Sequence, residues 1–226
     1  MEEKLAILMA DLSGYTAMTE AHGPASAADL IDKYLEIVES SLAGDSKLHE
    51  RTGDEVMIVS SSPDDLLATT IMLIEKTSTQ ENFLQLHGGL HFGTVLKRRS
   101  GYFGTALNMT ARITSTAGPG TFRFSSDFIN GLRDREILPF HPVGTFTFKN
   151  LVEEKELFEI SFRDKLSVHV DPVCKMFIRD CSKAITHPEI HNVFFCSHGC
   201  MESYSKQKLP VSVENSIEIH GIRKRL

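Results

Sequence analysis

The chain has 226 residues, with 24 Lys and Arg against 30 Asp and Glu, a net charge of −6, and 41% hydrophobic residues. That balance supplies a core for one large domain or two small ones, and it disfavours a nucleic-acid or anionic-membrane surface. No apolar run approaches the roughly 20 residues of a membrane helix, and the start Met1-Glu2-Glu3-Lys4 lacks a secretion-signal pattern, so a cytoplasmic protein with no nucleic-acid or membrane partner is expected.

In chain order, Leu5 to Ala10 is a short apolar run of the buried-strand kind, ending at the turn-like Asp11-Leu12-Ser13-Gly14-Tyr15-Thr16. Residues 24–43 show the helical period through Ala28, Leu30, Ile31, Tyr34, Leu35, Ile37 and Val38, with Pro24 as a first-turn proline. Lys47 to Ser60 reads as a hairpin turning at Gly53-Asp54. Ser62-Pro63-Asp64-Asp65 opens a second helix, and its acidic pair suits the positive helix start.

Phe83 to Leu96 is strand-like despite Gly88, Gly89 and Gly93, and a basic turn, Lys97-Arg98-Arg99-Ser100-Gly101, follows. A third helix begins near Thr105, with Leu107, Ala111 and Ile113 available for its buried side. A strand at 121–125, a helix at 126–134 and strands near 136–148 and 155–162 complete this part. The order predicts an α+β protein with a ferredoxin-like βαββαβ sheet and its helices on one side.

Two features carry chemistry. Asp11 follows the first strand and Asp54 sits in the hairpin turn, and neighbouring strands in such a sheet bring two carboxylates to one end. There they either serve local turns or form a hard-oxygen site suited to Mg²⁺ or Mn²⁺. Asn108 and Arg112, four apart, share one face of the third helix. The pair is either solvated surface or a match for ribose and phosphate oxygens.

The run Ala10-Asp11-Leu12-Ser13-Gly14-Tyr15-Thr16 resembles the first metal motif of the class III adenylate and guanylate cyclases, and Thr52-Gly53-Asp54-Glu55-Val56-Met57 the second. Gly89 to Gly93 is similar to the family's glycine-bounded strand. Tyr102-Phe103-Gly104 with Asn108 and Arg112 resembles its catalytic helix, and Phe148-Lys149-Asn150-Leu151 its lysine motif. The matches run in order over residues 4–162.

The resemblance implies conversion of ATP or GTP to a 3′,5′-cyclic monophosphate and pyrophosphate. Two Mg²⁺ or Mn²⁺ ions per active site would sit on Asp11 and Asp54, and the backbone of Leu12, Ser13, Gly14, Tyr15 and Thr16 would cradle the triphosphate. Asn108 would orient the ribose, Arg112 would stabilise charge at the α-phosphate, and Lys149 would hold the terminal phosphates. It further implies a homodimer whose two sites each draw residues from both subunits. At the base-reading positions stand Glu50, as in guanylate cyclases, and Gly101, which lacks a side chain. A carboxylate at position 50 suits the ring N–H and amino group of guanine.

All four cysteines, Cys174, Cys181, Cys196 and Cys200, fall in the last quarter of the chain, which points to metal binding before disulfides and to a division into units 1–163 and 167–226. Cys174, Cys196 and Cys200 are either buried, inert thiols of a metal-free fold or a ligand set, the last two meeting if a helix starts near Ser197. Three thiolates suit Zn²⁺ or Cu⁺. The fourth ligand is expected from Cys181, His187, His191 or His198. Residues 168–207 resemble a YHS or TRASH-type metal-binding domain, a small α+β module, with Lys175 where glycine is common. Ser216 to His220 is strand-like.

Overall fold

A computed structural model describes residues 1–99, 101–149, 154–161 and 169–206. The expected strand near 216–220 and the expected boundary between the units 1–163 and 167–226 lie outside the described residues.

The first strand, β1 (Glu2–Ser13), is longer than its apolar run and lies inside the sheet. Ala6, Leu8, Ala10 and Leu12 face one core, while Leu5, Ile7 and Met9 face another. Both faces are covered, so the run is continuously apolar rather than alternating. Helix α1 (Tyr15–Ser41) starts nine residues before its expected N-terminus. It is broken at Gly23 (φ 82°), after which Pro24 opens the second segment, as its fixed φ favours.

Strands β2 (Lys47–Thr52) and β3 (Glu55–Ser60) form the expected hairpin, with Gly53 at φ 64° in the turn. Helix α2 (Pro63–Ser78) is capped by the Ser62 side chain, which accepts from the N–H of Asp65. Strand β4 (Gln85–Arg98), short β5 (Gly101–Phe103), helix α3 (Thr105–Thr114), β6 (Thr121–Ser125), α4 (Ser126–Gly131), β7 (His141–Phe146) and β8 (Lys155–Ser161) follow.

The sheet order is β2-β3-β1-β4-β6-β8-β7, with β5 paired to β4. Its first four strands are antiparallel in the ferredoxin-like order, and β6 extends the sheet parallel to β4.

The helices do not all lie on one side. Helices α1 and α2 cover one face through Ile31, Tyr34, Leu66 and Leu73, whereas Ala106 of α3 packs with Leu5, Ile7 and Met9 on the other. A glycine permits this close approach: a Cβ on Gly89 would stand 2.5 Å from the backbone N of Thr114 at the end of α3. The buried side of α3 is Ala106, Met109, Thr110, Ile113 and Thr114; Ala111 is exposed and Leu107 half-buried.

The C-terminal segment has two small hairpins, β9 (His169–Val170) with β10 (Phe177–Ile178) and β11 (Ile185–Thr186) with β12 (Phe194–Phe195), then helix α5 (His198–Lys206). Cys174, Met176, Phe177, Phe195 and Cys200 join the same buried cluster as α1 and α2. The N–H of Phe177 donates to the carbonyl of Phe83 at 2.7 Å, and Arg179 donates to the carbonyl of Ser78.

Candidate active site and cysteine cluster

Strand alternation puts Asp11 on the α3 face with Met9, and the Gly53 turn delivers Asp54 to the same sheet end. The two carboxyls are hydrogen-bonded to each other. Burial, then the Asp11 carboxyl beside it, pushes Asp54 up to about 6. Asp11 is raised by burial, and Glu55 by burial followed by the charges of Asp54 and Glu50. Beneath them Tyr34 is raised well above the usual phenol range, first by burial and then by Asp11, Asp54 and Glu55; its buried hydroxyl has no partner among the described residues. Concentrated acidity of this kind, half-withdrawn from water, suits a divalent cation on oxygen ligands.

His87, which the sequence reading missed, stands opposite Asp11 in the β1–β4 register. Its Nε2 lies 3.8 Å from an Asp11 oxygen, its Nδ1 is 2.9 Å from the Ser13 hydroxyl, and burial lowers its pKa. Only the strand pairing reveals it, since 76 residues separate the two.

Leu12 is buried in the core, and Ser13 ends the strand. Gly14 (φ 92°) then turns the chain into α1 with no side-chain cap and no acidic residue in the first turn. The first helical bond runs from Met18 N to Gly14 O at 3.0 Å, leaving the N–H groups of Tyr15, Thr16 and Ala17 for an anion.

Asn108 and Arg112 are both exposed on α3. Phe148 packs on Met109 and Ile113, which sets exposed Lys149 beside that helix. Among the described residues, none of these three has a side-chain hydrogen bond or ion pair, either with each other or with the Asp11–Asp54 corner.

Glu50 is exposed on β2 opposite Met57, beside a bulge. A Cβ on Gly101 (φ 128°) would lie 3.4 Å from the neighbouring His49 ring, which packs tilted against Tyr102 with centroids 4.8 Å apart. A cavity of about 380 Å³ opens here between Lys47, His49, Lys97, Arg98, Arg99, Gly101 and Tyr102.

At the other end of the first α1 segment the three expected cysteines converge. The Cys174 and Cys196 sulfurs are 3.5 Å apart, and those of Cys196 and Cys200 are 3.7 Å apart, with α5 starting at His198 as the spacing requires. The Cys174 thiol bonded to it lowers Cys196 to about 7, while burial raises Cys200 to about 11. Fully buried Asp171 fixes the loops: its oxygens accept from the N–H groups of Val173 (2.7 Å), Cys174 (3.2 Å) and Cys196 (2.8 Å).

The fourth neighbour differs from expectation. It is His22 of α1, with Nε2 3.5 Å from Cys196 Sγ and 3.6 Å from Cys200 Sγ. The four ligand atoms lie within 4.8 Å of one another, and Cys181, His187, His191 and His198 are outside the group. His187 accepts instead from the N–H groups of Glu189 and Ile190, and His191 and His198 point to solvent.

Comparison with known proteins follows this geometry. No protein-family model matches the chain. An uncharacterized protein of Mycobacterium tuberculosis is 34% identical over 155 residues, covering 67% of this chain and 39% of its own length. An adenylate cyclase of Glutamicibacter nicotianae is 30% identical over 130 residues, 57% of this chain and 32% of its own. The chain thus spans about two fifths or less of these relatives. Among solved structures, an adenylate/guanylate cyclase/hydrolase from Silicibacter pomeroyi superposes with a TM-score of 0.60 at 21% identity, over 70% of this chain and 96% of that one. The larger part of the chain therefore has the adenylate/guanylate cyclase fold, and the chain shares sequence with adenylate cyclases.

Proposed function

We propose that this chain is a purine nucleotide cyclase, converting ATP or GTP to the 3′,5′-cyclic monophosphate and pyrophosphate. The observation that carries this reading is the Asp11–Asp54 pair, both raised first by burial, beside the open N-terminus of α1. An acid pair with an anion cradle at its side suits a metal–triphosphate ligand. Asp11 and Asp54 would hold Mg²⁺ or Mn²⁺, and two such ions would activate the 3′-hydroxyl and stabilise the leaving oxygen.

The residues do the positioning. The N–H groups of Tyr15, Thr16 and Ala17 bind phosphate oxygens. Asn108 orients the ribose, and Lys149 holds the terminal phosphates. Arg112 faces the α-phosphate as the bond from O3′ to phosphorus forms and the bond to the bridging oxygen of the β-phosphate breaks; the hydroxyl proton passes to solvent water, and pyrophosphate departs with the bond electrons. Fixed donors aimed at developing charge supply most of the rate enhancement in such a transfer.

Asn108, Arg112 and Lys149 have no partner at the carboxylate corner of their own chain. A second copy, supplying those groups across a homodimer interface, completes each site. Glu50 favours GTP, since its carboxylate accepts from guanine. Gly101 offers the base no side chain, which favours the competing reading of a nucleotide-binding or metal-sensing protein without catalysis. The Cys174, Cys196 and Cys200 module would bind Zn²⁺ or Cu⁺ and regulate the cyclase.

Turnover of purified protein with ATP and GTP in parallel, in Mg²⁺ and in Mn²⁺, tests the reading. Cyclic product and pyrophosphate in equal amounts are expected. No product from either nucleotide in a dimeric, metal-loaded sample favours the non-catalytic reading.

A further inference from the structure

The Cys-rich segment and the phosphate cradle meet on one short piece of helix. Tyr15–His22 is the first segment of α1, set off from the rest by the break at Gly23. Its N-terminal end is the cradle, and its C-terminal end carries His22. Cys174 and Lys175, adjacent in sequence, reach both ends. The Lys175 side-chain stem fills the space over Gly14, 2.6 Å from where a Cβ would stand, while Cys174 belongs to the group around His22. Lys175 has φ 65°, a left-handed turn that aims the two side chains apart.

We infer that His22, Cys174, Cys196 and Cys200 together form a four-coordinate site for Zn²⁺ or Cu⁺ that joins the cyclase sheet to the C-terminal module and pins the phosphate cradle. This rests on the reading of the three cysteines as metal ligands and extends it with a ligand from outside their module.

The distances fit. A tetrahedron with metal–sulfur bonds of about 2.3 Å and a metal–nitrogen bond of about 2.0 Å has S···S edges of about 3.8 Å and S···N edges of about 3.5 Å. Two S···S separations are 3.5 and 3.7 Å and two S···N separations 3.5 and 3.6 Å, and the Cys174 sulfur lies within 4.8 Å of the Cys200 sulfur and of the His22 ring nitrogen, near enough to close the set around an ion. A disulfide needs sulfurs at about 2.0 Å, and all four cysteines are free. The supporting contacts are those of a preformed centre. Asp171 holds the N–H groups of Cys174 and Cys196, and the Ser197 hydroxyl accepts from the N–H of Cys200 at 3.2 Å.

The consequence for the cradle is mechanical. Eight residues of helix are marginal by themselves, and Gly23 separates these from the longer, core-packed segment. Ligating His22 fixes one end while the Cys174–Lys175 corner holds the other. Metal binding and ordering of the cradle are then coupled, and by reciprocity nucleotide binds the metal-loaded protein more tightly.

The test uses the full chain and needs no turnover. Elemental analysis should find one Zn²⁺ or Cu⁺ per chain. His22→Ala should weaken binding of that ion by more than about 100-fold, beyond the 10–100-fold that loss of an outer-shell partner costs, and Cys181→Ser should leave it unchanged. Hydrogen exchange of the hydrogen-bonded amides of this segment, Met18 to His22, should slow at least tenfold in the loaded wild type relative to the chelator-treated protein. In His22→Ala, adding the ion should no longer slow it.

Metal lost in Cys196→Ser but fully retained in His22→Ala would remove His22 and leave the cysteine reading standing. No bound metal in the wild type would overturn both. Metal bound through His22 with unchanged exchange at Met18 to His22 would overturn the pinning. None of these outcomes depends on whether the protein is a cyclase.

Discussion

At the residue scale, the most exposed test falls on Arg112. It is solvent-facing and unpaired among the described residues, so truncation leaves the fold alone. Arg112→Ala is expected to cut cyclase turnover by about a hundredfold or more, as for loss of one transition-state donor, with thermal stability unchanged; near-normal turnover removes it from the mechanism. Asp54 presents the opposite balance. Its folded pKa of about 6 exceeds the ordinary 3.8. The stability it contributes is therefore present below pH 3.8 and lost as pH rises through 6. Near neutrality the ionised pair strains the metal-free protein. Asp54→Asn should raise the unfolding midpoint without divalent ions by roughly 2–4 °C, the shift for about 1 kcal/mol at this size. It should also abolish the stabilisation that Mg²⁺ or Mn²⁺ gives the wild type, and a midpoint below wild type would contradict this account. Both aspartates were legible in the sequence because each sits beside a glycine turn. His87 and His22 were not. Each reaches its partners only through long-range pairing, and a lone histidine carries no local pattern that says which element will face it.

At the element scale, α3 shows why part of the fold escaped the sequence. The threonines of its buried side satisfy their own hydroxyls: Thr110 donates to the carbonyl of Ala106 and Thr114 to that of Thr110, each at 2.9 Å. Counted as polar, they masked the true face, and the pattern of Leu107, Ala111 and Ile113 pointed off-axis. Gly89 carried the missing information, since glycine inside a strand marks a close approach. Gly89→Ala is expected to push the end of α3 off the sheet, costing about 1–3 kcal/mol of stability as overpacking does and raising the nucleotide KM by moving Asn108 and Arg112. Urea unfolding and steady-state kinetics on one preparation check both effects; an unchanged KM would uncouple the α3 seat from the site. The order of strands and the hairpin at Gly53-Asp54 were readable because turn chemistry and apolar period agreed there.

At the scale of the whole molecule, the lack of any hydrogen bond or ion pair, among the described residues, between the carboxylate corner and Asn108, Arg112 or Lys149 makes the shared site worth testing by mixing. Asp11→Ala and Arg112→Ala are each expected to be inactive alone, and mixed chains should recover up to about a quarter of wild-type activity, since only mixed dimers rebuild one intact site. No recovery in a sample shown to contain mixed dimers would argue for a site within one chain. Acid stability has its own source in His91, buried between Ser125, Asp127 and Lys155. Burial lowers its pKa to about 4 against an ordinary 6.5. Below pH 6.5 the unfolded chain takes up a proton that the folded one refuses, so stability falls as pH drops toward 4. At pH 5 the loss is about 2 kcal/mol. His91→Gln should flatten that part of the acid limb in urea titrations at pH 7 and pH 5; an identical acid limb would assign the loss to other groups.

The contact between His22 and Cys200 spans 178 residues of sequence. During synthesis, at about 5–20 residues per second, the helix that begins at the cradle therefore waits roughly ten to forty seconds for its far partner to leave the ribosome. Through that interval the apolar surface that will receive Phe177 and Phe195 is bare, and closing so long a loop adds an entropic cost that only the finished chain can recover. Docking of this segment on the cradle's helix therefore cannot precede the synthesis of Cys200, whatever the order in which the sheet itself assembles.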